Sequence, residues 1–171
     1  MGGILGDLHF VSEFPPVNDR PLWLAHMRPV GIRTCMSKPL RFVTKAEAIK
    51  EEYKGRTNYW LTRPELTGAK DLQVCEATLP AGEGHGFHTH PELEEMIYVL
   101  AGEVEQWVEM EKRILKPGDV AHIPAGIVHA TFNGSKADAT ILAILSPGAS
   151  KGPFMVDVSN VKPWNQLRGP A

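Results

Sequence analysis

The chain predicts an all-β fold, an antiparallel sandwich or barrel, and three observations carry that expectation. From about residue 58 onward, apolar, β-branched and aromatic residues fall in short runs instead of at helical spacing. Turn signals containing Gly, Pro, Asn or Asp separate those runs. Pro15, Pro16, Pro21, Pro29 and Pro39 exclude a long helix from the front of the chain, because proline lacks the amide donor and clashes with the preceding turn. Many short strands joined by such turns close into a sandwich or barrel, where each strand can bury one face.

Residues 1–56 read as an N-terminal arm with one short helix. Within the irregular first forty residues, Trp23, Leu24, Met27, Val30 and Ile32 are apolar enough to dock on a barrel or on a partner subunit. The helix is expected over Thr44–Tyr53. Thr44 followed by Glu47 has the form of a capping box, in which each residue satisfies the other's free amide. Gly55 supplies the stop. Residues 57–148 read as the barrel, with strands at Asn58–Thr62, Leu72–Leu79, Glu95–Leu100, Glu103–Glu109, Val120–Ile123, Val128–Phe132 and Thr140–Leu145. Residues 149–171 form a tail punctuated by Pro153, Pro163 and Pro170, in which Phe154, Met155, Val156 and Val158 offer an edge strand.

A chain of 171 residues fits one domain, and with 43% apolar and 22% charged residues it can bury a core. Net charge is −2 and no Lys/Arg block stands out, which argues against nucleic acid or an anionic membrane as partner. Asp7, His9, Glu13 and Asp19 interrupt every apolar stretch near the start, so a signal peptide is not expected. Without a long apolar run either, the expected compartment is the cytosol. Cys35 and Cys75 read as reduced thiols and not as a disulfide framework.

The chemistry concentrates between Gly82 and Asn133. His88-Thr89-His90 is followed by Glu95 and Gly102, and then by Gly118, Pro124, Gly126, His129 and Asn133. Residues i and i+2 of a strand share a face, so His88 and His90 present their imidazoles together. Glu95 and His129 begin other strands, and in a closed barrel all four can converge inside. Imidazole suits Zn, Cu, Fe and Ni, and a carboxylate adds a hard anionic oxygen, so the set suits one divalent transition metal (Fe, Mn, Zn, Ni or Cu). Val104, Gln106 and Val108 share a face, which points Gln106 inward: either it orients a substrate, or backbone or solvent satisfies it at the barrel mouth. His85 reads as a solvent-exposed loop residue and His122 as a buried, singly bonded histidine. Glu94 reads as solvent-facing, and Tyr98 and Trp107 as packing residues.

These residues resemble the two motifs of the cupin superfamily. Gly82, His88, His90, Glu95 and Gly102 fit the first; Gly118, Pro124, Gly126, His129 and Asn133 fit the second. The resemblance implies a double-stranded β-helix, or jelly roll, with His88, His90, Glu95 and His129 as metal ligands. Three functions are compatible with it. One is a metal-dependent oxygenase like the quercetin-dioxygenase-like cupins, with Glu95 doubling as general base and Ile97, Val99, Val104 and Val108 forming an apolar pocket. Another is a non-redox isomerase, lyase or decarboxylase, for which Arg113 and Lys116 are the nearest interior cations. The last is a non-catalytic binder of a small molecule. A homodimer is expected from a single barrel bearing an apolar arm.

Overall fold

A computed structural model describes residues 38–168. The arm residues Trp23 to Ile32, and Cys35, lie outside that range. Along the chain run β1 (Ile49–Tyr53), β2 (Arg56–Thr62), a four-residue helix α1 (Pro64–Thr67), β3 (Gln73–Leu79), β4 (Gly84–Thr89), β5 (Glu94–Ala101), β6 (Val104–Val108), β7 (Glu111–Leu115), β8 (Val120–Ile123), β9 (His129–Phe132), β10 (Ala139–Ser146) and β11 (Val156–Asp157). One sheet has the order β1-β2-β3-β10-β5-β8 and the other β11-β4-β9-β6-β7. The strand pairings are antiparallel. This is the jelly roll that the motifs implied.

Strand alternation sorts the side chains. In β3, Gln73, Cys75, Ala77 and Leu79 are buried while the residues between them are half-exposed; β10 does the same with Ala139, Ile141, Ala143 and Leu145. Inward residues of the two sheets meet in one core that includes Leu79, Leu93, Ile97, Val99, Val104, Ile123 and Leu145. Burying each of the larger aliphatic side chains contributes about 1.5–3 kcal/mol. A smaller cluster lies on the other face of the second sheet. There Phe87, Trp107 and Ala130 are covered by Val158, Trp164 and Leu167 of the tail. Val158 donates its amide to the Phe87 carbonyl at 2.9 Å, which ties that tail down.

Two local expectations change. The helix expected over Thr44–Tyr53 is a turn followed by a strand. The Thr44–Glu47 contact forms, with the Thr44 amide and hydroxyl both donating to Glu47 Oε2 at 2.9 and 2.7 Å, but it holds only the turn. Residues 49–53 pair with β2 in a hairpin, from Ile49 opposite Trp60 to Tyr53 opposite Arg56. Gly55, at φ 83°, makes the hairpin turn instead of a helix stop, since both ends need the same left-handed glycine. Sheet pairing thus overrides a weak local helix preference. Among the described residues the short α-helix is α1, where Pro64 sits in the first turn and Gly68 caps the end at φ 70°. The sheets also reach beyond 57–148, taking in β1 at one end and β11 at the other.

Candidate metal centre

Three strands and one loop position deliver the four candidate ligands. His88 ends the inward face of β4, His90 follows it directly, Glu95 stands near the start of β5, and His129 opens β9. All four are buried, at 1–6% exposure, and each offers one ligand atom within 4.8 Å of the others. His88 pairs with His129 across the β4–β9 ladder, and their rings lie 4.1 Å apart. His90 stands at nearly a right angle to His88, with ring centres 5.1 Å apart.

The other ring nitrogen of each histidine is committed. Nδ1 of His88 lies 2.7 Å from the Gly86 carbonyl, Nδ1 of His90 lies 2.6 Å from the Phe154 carbonyl, and Nδ1 of His129 lies 3.0 Å from the Ile127 carbonyl. A carbonyl can only accept, so each Nδ1 carries the proton and donates it. Each neutral ring then has a bare lone pair on Nε2, directed at the cluster. Among the described residues, Nε2 of His88, Nε2 of His129 and Oε2 of Glu95 are buried without a hydrogen-bond partner. Glu95 Oε2 sits 2.7 Å from Nε2 of His129 and 3.5 Å from Nε2 of His90. At that range, His129 and Glu95 turn lone pairs toward each other without forming a hydrogen bond, an arrangement that needs a positive charge between them. The donor set therefore fits a divalent metal ion of the imidazole-and-carboxylate type.

Electrostatics agree with that fit. Burial, reinforced by the neighbouring His129, pushes His88 down to about 3, so it stays neutral. Burial pushes Glu95 upward, but the close approach of His129 and His90 outweighs it and holds the carboxyl well below the usual range. Burial lowers His90, yet Glu95 and the Phe154 carbonyl together raise it above its ordinary value.

The cluster opens on a cavity of about 180 Å³. Trp60, Ala77, Leu79, Ile97, Ile141 and Leu145 make its apolar wall. Of the four residues expected to form an apolar pocket, only Ile97 lines this cavity; Val99 and Val104 are packed in the core. Gln106 points inward as alternation requires and is 3% exposed, but it lines a different hollow, with Val108 and Arg113. Its amide donates to the Trp107 carbonyl at 3.0 Å and accepts from the Thr131 hydroxyl at 2.7 Å.

His85 departs from its expected solvent position: it lies on β4, stacked on His88 with ring centres 3.7 Å apart, and lines the cavity. His122 is exposed and meets Glu94 at 3.1 Å, so it is not the buried histidine expected. Arg113 is exposed and pairs with Glu111, away from the cavity. Sequence reasoning did not find Arg56 and Asn58 in the cavity wall, nor Phe154 and Met155 from the tail. The signal for Asn58 was present, as the position two before Trp60 on a strand. Arg56 stood one residue outside the expected barrel. Phe154 acts through its main-chain carbonyl, which no side-chain pattern reveals.

Part of the chain is similar to known proteins. Residues 75–145, which span Glu95 and all three histidines, match the family description of a cupin domain. A germin-like protein (subfamily 2 member 2) of Arabidopsis thaliana is 36% identical over 86 residues, covering 46% of this chain and 39% of that protein. The chain spans less than half the length of the curated relatives it matches. Among solved structures, a predicted oxalate decarboxylase from Thermotoga maritima superposes with a TM-score of 0.56 at 24% identity, over 61% of this chain and 97% of that one. An RmlC-like cupin from Shewanella frigidimarina does so with a TM-score of 0.57 at 19% identity, over 68% and 97%. Two antiparallel sheets, both motifs in order and a buried His/Glu cluster between them agree with the match of residues 75–145 to a cupin domain, and the fold is an RmlC-like jelly roll.

Proposed function

We propose that the protein is a metal-dependent enzyme of dioxygenase type, acting on a small organic molecule bound beside His88, His90, Glu95 and His129. The observation that carries the metal reading is the set of buried, unpartnered Nε2 and Oε2 atoms facing one another. A bound divalent metal would supply Lewis acidity and, if redox-active, reactivity toward dioxygen. The chain supplies the rest. Three backbone carbonyls lock the imidazoles in the ligating tautomer, and the wall of Trp60, Leu79 and Ile141 keeps water from an apolar substrate. The neighbouring imidazoles hold the Glu95 carboxyl well below the usual range, so its first role is that of ligand; its second is to take a proton from bound substrate.

One observation favours the non-redox lyase or decarboxylase reading: a guanidinium, Arg56, lines the cavity. Such a cation can hold an anionic substrate while the metal polarises it. The two readings separate by oxygen uptake. Protein purified without chelators is expected to carry about one transition metal per chain, and a His90→Ala/His129→Ala variant to lose it. Wild type without metal, and refractory to reconstitution with any divalent ion, sinks the metal reading. With metal in place, substrate-dependent oxygen consumption supports the dioxygenase; turnover under nitrogen rejects it in favour of the lyase.

A further inference from the structure

Strand β2 sends alternate side chains, Arg56, Asn58 and Trp60, into the cavity wall. The Trp60 end is closed by its own contacts. The indole N–H donates to Glu51 Oε2 at 2.6 Å, while Arg63 lies over the ring at 3.8 Å and pairs with the same carboxylate at 2.9 and 3.1 Å. The other end differs. Asn58 is only 7% exposed, yet among the described residues its buried Oδ1 has no hydrogen-bond partner. Arg56 is partly buried, and among the described residues its guanidinium touches the Tyr53 ring at 4.5 Å but has no ion pair or hydrogen bond. The unpaired guanidinium fork of Arg56 matches a planar anion, and the Asn58 amide beside it on the same strand face joins in when it is turned to present Nδ2 as a donor. Among the described residues, Glu95 is the one carboxylate that lines the cavity, and it belongs to the ligand cluster, so it is not available to neutralise Arg56.

We propose that Arg56 and Asn58 are the specificity-determining residues of this cavity, and that they select a small organic carboxylate as the substrate. The guanidinium takes the carboxylate through two parallel N–H donors. The Asn58 amide, turned so that Nδ2 faces the ligand, bonds the same group or an oxygen beside it. Ala77, Leu79 and Ile141 receive the carbon skeleton, and a cavity of about 180 Å³ limits that skeleton to a few carbons or a single ring. The proposal relies on the metal reading only for what the far end of the substrate meets.

The test compares lactate, succinate and benzoate with lactamide, succinamide and benzamide. Dissociation constants come from ligand-observed NMR on the full chain as purified, and metal content is measured on the same samples. At least one acid is expected to bind about tenfold or more tighter than its amide, the scale of a charge-assisted hydrogen bond. Arg56→Gln is expected to erase that preference with metal content unchanged, and Arg56→Lys to restore part of it. Asn58→Asp places a built-in carboxylate beside Arg56; it is expected to abolish acid binding in a protein that melts no lower than wild type, which separates recognition from misfolding. Equal binding of acids and amides, binding of neither, or a preference that survives in Arg56→Gln overturns the proposal. A metal-free wild type that still prefers acids would sink the metal reading and leave this one standing.

Discussion

His90 shows how a ligand's geometry is set from outside its own motif. Its Nδ1 proton is held by the Phe154 carbonyl, sixty-four residues away, and the Phe154 ring packs against it at 5.0 Å. His88 gives a prediction at the same scale. In the metal-free protein its value of about 3 lies below the ordinary 6.5 of the unfolded chain, so the folded state binds fewer protons between those limits. The stability from keeping this ring neutral is fully present above 6.5 and is lost as pH falls toward 3. His90 acts in another window: its raised value gives stability that is present below 6.5 and lost as pH rises through the folded value. Metal-free protein is therefore expected to lose several kcal/mol on acidification from pH 6.5 to 4, and His88→Gln to flatten that slope. Urea titrations at a series of pH values measure it, and an unchanged slope in the variant refutes the assignment.

At the scale of elements, the motif residues that are not ligands prove to be joints. Gly126, at φ 78°, donates its amide to the His90 carbonyl at 2.8 Å, tying the turn before β9 to the end of β4. Asn133, fully buried, donates Nδ2 to the carbonyls of Leu79 and Ala137 at 2.9 and 2.7 Å and accepts from the Ser135 amide and hydroxyl. One side chain thus closes the turn after β9 and fixes the end of β3. Asn133→Ala leaves those buried groups without partners. It is expected to cost about 2–3 kcal/mol, read as a lower urea midpoint at unchanged slope. A loss under about 0.5 kcal/mol would show that water replaces the amide. Gly102 marks a different joint: a Cβ there would stand 2.8 Å from the Asp138 carbonyl and 2.9 Å from Ala139 Cα. The turn after β5 can therefore run against β10 only as glycine.

At the scale of the whole molecule, the six-stranded sheet buries one face and carries an apolar patch on part of the other. On that outer face Leu142 lies opposite Tyr98, and Tyr98 opposite Val120; Ile144 lies beside Met96. Tyr98, Leu100 and Val120 are 37%, 42% and 50% exposed, a contiguous apolar surface of the kind that marks an interface. We propose that a second copy of the chain covers it about a two-fold axis, giving the homodimer expected from the sequence. Light scattering at micromolar concentration is expected to give twice the chain mass, and Tyr98→Glu to shift the protein toward monomer. A monomeric wild type rejects the proposal. Among the described residues no helix is long and apolar enough to cross a membrane.

Both the barrel and its candidate ligands were legible because each rests on a short-range rule. Period-two alternation decides which side chains face inward, and it turned Ile97, Val99 and Gln106 inward as expected. The spacing His88, His90, Glu95 and His129 needs only that alternation and a closed sheet to converge. Tertiary structure decided what depends on partners distant in sequence. Residues 49–53 carry a capping signal and helix-compatible side chains, and became a strand because β2 offered a full ladder of hydrogen bonds. His85 sits within the cavity because β4 pairs with β9 in a register that stacks it on His88. Arg56 was assigned to the arm and is part of the wall, since its place depends on how far the hairpin extends the sheet. The Phe154 carbonyl reaches His90 only because β11 pairs with β4. Local pattern tells each residue which way to face; only the pairing of strands determines what it faces.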